Sequence, residues 1–262
     1  MRRLFAIGSV AGAPGATTVA LALAAAWPRD ADGGVRPVVI EAGIWGGDLA
    51  ARFGLPHTPG LLDVAAAVRQ SHPGSLLGAV HELPFGVRAV LATAERGPCT
   101  EAVRLLSTPD GPWVLRGETR DQGSVLVDVG RITVEPQGLL ETADEVLLVA
   151  RGGAESLAHV YAHRSHFSAF AGRLRLLVVG PCPYGPEEIS TALGVERVTL
   201  LPWDAKTAVV LNGSREGRLP AGGFRTPPLM AAAGKLAEQM SSQPSELPLP
   251  SHTAAVAEGS DW

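Results

Sequence analysis

The sequence predicts an α/β domain in which helices cover both faces of a doubly wound, mostly parallel sheet. Short apolar runs rich in β-branched residues alternate along the chain with longer segments of helical periodicity. Each apolar run has the nearly continuous hydrophobicity of a strand that is buried on both faces. Such alternation gives a parallel sheet with right-handed crossovers. The first connection between a strand and a helix is rich in glycine, which is typical of phosphate-binding domains.

The predicted elements follow one another from the N-terminus without a repeat. Strands are expected at residues 4–7, 35–40, 86–92, 124–130, 145–150, 174–180 and 198–201. Helices are expected at residues 19–27, 61–68, 75–80, 102–106, 155–170, 187–193 and 230–240. Residues 108–123 contain turn residues and charges, so neither a helix nor a strand is assigned to them.

The length of 262 residues is sufficient for one domain and a tail. We expect residues 1–240 to form the α/β domain. Residues 241–262 are rich in Ser, Pro and small residues, and such a composition cannot bury enough apolar surface to fold. We therefore expect a disordered C-terminal tail from residue 241 onward.

Composition and charge exclude several classes of protein. Hydrophobic residues make up 46% of the chain and the formal net charge is -4, so nucleic acid is an unexpected partner. Cys99 and Cys182 lack the spacing of a zinc site and indicate a reducing compartment. No apolar run is long enough for a signal sequence or a membrane span. The sequence thus predicts a cytoplasmic protein.

The glycine-rich turn has the context of a phosphate-binding loop, because a strand precedes it and a helix follows it. Backbone N–H groups of such a turn, together with the positive end of the helix, can surround an anion. The candidate nucleotide-binding residues here are Gly12, Ala13, Pro14, Gly15, Ala16, Thr17 and Thr18. Alanine at position 16 stands where a working loop has its phosphate-binding lysine, and Pro14 removes one donor. The loop has the shape of the site without its cation.

Asp128 ends a central apolar strand and is the candidate catalytic residue. An acid at the tip of a buried strand near a phosphate loop can hold Mg²⁺ through water or orient an attacking water. The hydroxyl of Thr17 can also bind the metal, so Thr17 and Asp128 are the candidate Mg²⁺ ligands. The alternative for Asp128 is a carboxylate that caps the following turn.

These features, in this order, resemble the ParA/MinD family of deviant P-loop ATPases. The family loop reads K-G-G-x-G-K-T-T, and residues 11–18 occupy it with both lysines replaced, by Ala11 and Ala16. The Walker A motif is therefore degenerate. Glu41 and Gly43 stand where the family typically has D-x-D after the second strand.

Two further segments extend the resemblance. Asp128 and Gly130 match the D-x-G ending of the central strand in the CpaE/TadZ branch, to which the chain is most similar. Residues 201–204 look like the late P-x-D loop that lies near the adenine in relatives. The resemblance thus implies that Pro202 and Asp204 are nucleotide-binding residues.

The resemblance implies a positioning or scaffold protein with a degenerate nucleotide site. Such a pseudo-ATPase would act in polar localisation of a pilus, secretion or cell-division assembly. It would have protein partners, could form a homodimer, and would be recruited to a pole or septum by a partner. The alternative is an active ATP-dependent dimerisation switch in chromosome or plasmid partitioning or septum placement. Arg131 or Arg151 could then replace the missing lysines. Binding of ATP or ADP with Mg²⁺ stays open. The tail has no Lys or Arg, so no direct membrane anchor is expected.

A second constellation lies outside these motifs. His159, His163 and His166 share one face of the helix predicted at 155–170, which suggests a metal site, a pH-sensitive contact or a solvated face with incidental histidines. Arg164, Arg173 and Arg175 could contribute to a basic patch.

Overall fold

The structure is a computed structural model that describes residues 1–12, 15–70, 76–215, 217, 219 and 226–243. Within these residues one sheet contains the strands β1 (Arg3–Ser9), β2 (Val38–Glu41), β3 (His81–Leu83), β4 (Val87–Val90), β5 (Ser124–Arg131), β6 (Glu145–Arg151), β7 (Leu174–Val179) and β8 (Arg197–Leu201). Their order is β3-β4-β2-β5-β1-β6-β7-β8. The pair β3 and β4 is antiparallel, whereas the other neighbouring strands run parallel. The predicted α/β class with a mostly parallel sheet is confirmed.

Helices cover both faces of this sheet. They are α1 (Ala16–Ala26), α2 (Leu49–Phe53), α3 (Leu61–Ala67), α4 (Arg96–Leu106), α5 (Gly111–Arg116), α6 (Gln137–Thr142), α7 (Ala154–Ala162), α8 (Pro186–Leu193), α9 (Ala205–Leu211) and α10 (Pro228–Ser242). Apolar side chains of α1, α2, α9 and α10 belong to one buried cluster, and those of α3 to α8 belong to a second cluster. The fold is therefore doubly wound.

Alternation along the central strands explains how two cores form around one sheet. In β1, Leu4 and Ala6 join the core on the side of α3 to α8, whereas Phe5 and Ile7 join the core of α1 and α10. Successive side chains of a strand point to opposite faces, so a strand with cores on both sides must be apolar throughout. Helix α1 lies between the sheet and α10, which explains why its alanines are buried nearly all round.

The central position of β1 determines where the glycine-rich loop lies. β1 pairs with β5 on one side and β6 on the other, and Ile7 is in register with Asp128. On the far side of β5, Glu41 of β2 is in register with the same residue. The loop after β1 and both carboxylates therefore meet at the carboxyl edge of the sheet, where ligands bind in folds of this class.

Several predicted elements were wrong in extent. The helix predicted at 155–170 is α7 followed by a 3-10 helix, Arg164–Arg173. Nδ1 of His163 lies 2.8 Å from the carbonyl oxygen of His159. The His163 side chain therefore contacts a backbone acceptor in the last turn of α7. In the helix predicted at 75–80, residues 76–79 form a 3-10 helix, while residue 75 lies outside the described residues.

Five strands and α-helices were missing from the prediction. They are β3, α2, α5, α6 and α9, each seven residues or shorter. Helix α10 ends at Ser242, so the first two residues assigned to the tail are helical. Residues 244–262 of that tail lie outside the described residues.

Two of the three arginines predicted to form a basic patch are bound within the fold, whereas Arg164 is exposed and lies over the ring of Tyr161. Arg175 is buried, and its Nε donates to Oε1 of Glu145 at 2.8 Å. Arg173 donates to the carbonyl oxygens of Ala143 and Glu141. Both arginines fasten β7 to its neighbours and are not available to a partner. None of the helices in the described part of the chain has the length and apolar character needed to cross a bilayer.

Candidate functional site

The glycine-rich loop leads directly into α1. Gly15 precedes the helix with a φ of 99°, a left-handed conformation that favours glycine. Its carbonyl oxygen accepts the N–H of Val19 at 2.9 Å, which closes the first turn. Ala16 begins the helix and is only 7% exposed. Gly12 is exposed, and Ala13 and Pro14 lie outside the described residues.

Asp128 and Thr17 are brought together at this edge of the sheet. Asp128 is 3% exposed, and its Oδ1 accepts the N–H of Gly130 at 3.0 Å. The hydroxyl of Thr17 lies close enough to the same carboxylate to lower its pKa. Burial raises the pKa of Asp128 from 3.8 to about 6, against the lowering effects of Thr17 and of the Gly130 N–H. A buried carboxylate beside a hydroxyl is the oxygen-rich environment that Mg²⁺ prefers.

Glu41 lies at the end of β2 and uses both carboxylate oxygens to hold backbone. Its Oε1 accepts the N–H of Asp48 at 2.7 Å and that of Leu49 at 3.0 Å, and its Oε2 accepts the N–H of Ala92 at 3.0 Å. A Cβ at Gly47 would lie 2.2 Å from Oε2, so only glycine fits there. Burial raises the pKa of Glu41 despite these bonds. This residue therefore fastens the start of α2 to β4.

A chain of polar contacts joins α2 to the start of α1, and the sequence did not reveal it. Arg52 on α2 donates from Nη1 to Oδ1 of Asn212 at 3.3 Å. Nδ2 of Asn212 in turn lies 3.0 Å from Oγ1 of Thr18. The other arm of the guanidinium, Nη2, lies 2.7 Å from Oδ2 of Asp48. The spacing of Asp48 and Arg52, four residues apart, was the one visible signal.

A cavity of about 210 Å³ opens beside the first turn of α1. Gly15, Thr18, Pro202 and Asp204 all line it, so the loop and the late P-x-D segment do meet. Arg151 also lines the cavity, and its guanidinium lies 4.8 Å from the ring centroid of Trp203. The cavity thus combines apolar walls with one cationic side chain.

Asp204 serves as the N-cap of α9. Its Oδ1 accepts the N–H of Thr207 at 3.0 Å and its Oδ2 accepts the hydroxyl of Thr207 at 2.6 Å. Partial burial raises the pKa of Asp204, but these bonds outweigh it and lower the pKa below its ordinary value. The carboxylate is thus held by its own helix even though the residue lines the cavity.

The histidines do not assemble into a metal site. Among the described residues, no group of three or more His, Cys, Asp or Glu side chains is placed to hold a metal ion. The ring centroids of His163 and His166 lie 5.7 Å apart beyond the end of α7. The expected continuous helix face is broken there, because the 3-10 turn changes the periodicity.

Comparison with solved structures identifies the fold. A ParA family ATPase from Chlorobium tepidum TLS matches with a TM-score of 0.69 and 18% identity, covering 91% of this chain and 98% of that chain. The chain has the ParA/MinD fold. The septum site-determining protein MinD of Pyrococcus horikoshii OT3, complexed with Mg-ADP, matches with a TM-score of 0.66 and 18% identity, covering 92% and 97%.

A chain of the MinC:MinD cell division complex from Aquifex aeolicus has the same ParA/MinD fold, with a TM-score of 0.65, 17% identity and coverage of 94% of this chain and 98% of that chain. No protein-family model matches the sequence, and no curated protein matches it. The likeness is therefore one of tertiary structure, and it extends over nearly the full length of these ATPases.

Proposed function

We propose that this chain is a ParA/MinD-like positioning or scaffold protein that binds a Mg²⁺-nucleotide and hydrolyses it poorly or not at all. The observation that carries the proposal is the contact between Thr17 and Asp128 beside a loop that has lost its cation at Ala16. Thr17 and Asp128 are the two side chains that would hold the metal. The side chain that would stabilise charge on the outer phosphates is missing.

The residues present fit such a ligand. The Thr17 hydroxyl and the Asp128 carboxylate would hold Mg²⁺, and the backbone of Gly15 and the start of α1 would face the phosphates. Pro202 and Trp203 would contact the base from the cavity wall. When bound, the metal would neutralise phosphate charge. Loss of the lysine at position 16 removes a transition-state interaction worth about 3 kcal/mol, or more than a hundredfold in rate.

The cellular role in this proposal is the placement of a larger assembly. The D-x-G ending at Asp128 and Gly130 favours the CpaE/TadZ branch, and thus polar localisation of a pilus or secretion assembly, with cell division as the related alternative. Trp45 and Trp203 are 55% and 54% exposed near the carboxyl edge of the sheet, and exposed aromatic side chains are enriched at protein interfaces. This supports a homodimer or a protein partner on that edge, which would recruit the chain to a pole or septum.

An active ATP-dependent switch is the second candidate, and the position of Arg151 favours it. This arginine lines the cavity next to Gly15 and Thr18, which places a cation near the ligand without a lysine in the loop. Arg131, the other arginine considered from the sequence, is not among the residues lining this cavity.

Calorimetric titration with Mg-ATP and Mg-ADP, combined with an assay of phosphate release, separates the two candidates. The scaffold proposal expects binding by the wild-type chain with negligible turnover. The double variant Ala11→Lys and Ala16→Lys should bind ATP at least about tenfold more tightly, because it restores the charge near the phosphates. Wild-type turnover equal to that of the double variant would establish the switch instead. Absence of any nucleotide binding would overturn the proposed site.

A further inference from the structure

Arg52 is the cation that approaches the loop from the side of β2. Helices α1, α2 and α9 share one buried cluster, which places them on the same face of the sheet. Arg52 projects from α2 to Asn212 at the end of α9, and that asparagine bonds Thr18 on the first turn of α1. One side chain therefore separates the guanidinium from the helix that follows the loop.

Lysine at positions 11 and 16 would place positive charge within the loop. Neither position carries a cation in this sequence. The guanidinium of Arg52 is separated from Thr18 by Asn212 alone, so in this chain a positive charge approaches the start of α1 from a neighbouring helix.

The present partner of Arg52 can be exchanged at little cost. The ion pair joins Nη2 to Oδ2 of Asp48 at 2.7 Å, and the aspartate side chain is 72% exposed. An exposed pair four residues apart on a short helix contributes little to stability. A phosphate group offers the planar guanidinium a stronger, bidentate contact than this single carboxylate does. Asp48 thus holds the arginine next to the loop without binding it tightly.

We propose that Arg52 binds outer phosphoryl oxygens of a nucleotide at the start of α1, in place of the lysines missing at positions 11 and 16. This inference rests on the proposed nucleotide site and adds a residue to it. When the nucleotide is present, the guanidinium exchanges Asp48 for phosphate, while Asn212 keeps Thr18 in contact with α9. The phosphates gain a positive partner that the loop itself does not carry.

Calorimetric titration of the full chain with Mg-ATP, Mg-ADP and AMP tests the assignment. Arg52→Ala should weaken ATP binding by about 10- to 100-fold, the range for loss of a charge-assisted hydrogen bond, and should leave AMP binding within about twofold. Arg52→Lys should retain part of the affinity because it keeps the charge. Asp48→Ala should bind ATP at least as tightly as the wild type, since it releases the guanidinium.

The pair formed by Arg69 and Glu101 provides a matched control. It is also exposed, with an N–O distance of 3.7 Å, and it follows α3 on the opposite face of the sheet. Arg69→Ala and Glu101→Ala change the net charge in the same way as the two test variants. They should leave ATP affinity within about twofold. Thermal midpoints without nucleotide check that every variant is folded.

The outcomes separate this inference from the proposed function. If the wild type binds ATP and Arg52→Ala binds it equally well, the role of Arg52 is wrong and the nucleotide site stands. If Arg52→Ala and Asp48→Ala weaken binding alike, or if AMP is affected as much as ATP, Arg52 only supports α2 and the inference is overturned. A wild-type chain that binds none of the three nucleotides overturns both proposals.

Discussion

Glu41 at the end of β2 and Asp128 in the second half of β5 are two buried carboxylates side by side, and the fold uses them differently. Glu41 and Asp128 are in register on neighbouring parallel strands, and both are almost completely buried. Glu41 accepts three backbone N–H groups from the loop before α2 and from the segment after β4. Asp128 accepts the N–H of Gly130 and lies beside the hydroxyl of Thr17.

This difference separates an acid that holds backbone groups from the acid that we propose as a metal ligand. A carboxylate offers roughly four acceptor positions. Glu41 uses three of these positions to accept backbone N–H groups that would otherwise lack a partner. Its carboxylate therefore cannot turn to a ligand without disturbing α2. The carboxylate of Asp128 lies beside Thr17 in the first turn of α1, and we propose that these two residues bind Mg²⁺ together. The position of an acid along the sheet edge is therefore insufficient to identify it as functional. The groups that hydrogen-bond to its carboxylate distinguish the two roles.

The largest effect is expected from Glu41→Ala, which should lower the free energy of unfolding by about 3–5 kcal/mol. The substitution leaves three buried N–H groups without their acceptor. Urea titration followed by circular dichroism measures the loss. Glu41→Gln retains a carbonyl oxygen and should lose clearly less. A loss below about 1 kcal/mol for the alanine variant would remove the distinction between the two acids.

Asp128→Asn should show the opposite behaviour, with a stability gain that depends on pH. Because the pKa of Asp128 is raised in the folded chain, the protonated acid is favoured there. Its contribution is complete below pH 3.8 and is lost as the pH rises through about 6. The rise from 3.8 to about 6 corresponds to about 3 kcal/mol at pH 7.5, which sets the upper limit for the gain.

Urea titrations of the wild type and Asp128→Asn at pH 4 and pH 7.5 measure this difference. The advantage of the variant should nearly vanish at the lower pH, where both side chains are neutral. Mg-ATP binding should weaken in the same variant, because the asparagine has no negative charge for the metal. An equal stability difference at both pH values would mean that the pKa of Asp128 is no more shifted than that of a surface acid.

The smallest effect is expected from Asp204→Ala, which extends the comparison to a third acid at this edge. Loss of the cap on α9 should cost about 1 kcal/mol, as is usual for an N-cap. Asp204→Asn, which can still cap the helix, should be nearly neutral in the same thermal unfolding measurement. If alanine instead left stability unchanged but weakened ATP binding, Asp204 would belong with Asp128 as a ligand-binding residue.

Much of the fold was visible in the sequence, since long apolar runs and helical periodicity are local properties. The central strands and α1 were placed correctly for this reason, although β5 continues three residues beyond Asp128. The strand β3 was missed because it has three residues at the antiparallel edge of the sheet, with polar side chains at two of them. Short helices such as α9 contain too few turns to show a period.

What the sequence determined by itself was the chain order of the motifs and the absence of lysine from positions 11 and 16. Only the tertiary structure decided that Glu41 is occupied by backbone, and that Arg52, Asn212 and Thr18 form a single chain of contacts across the start of α1. The bonding state of a side chain depends on groups distant in sequence, here by 160 and 194 residues. Those groups become neighbours only when α1, α2 and α9 pack on the same face of the sheet.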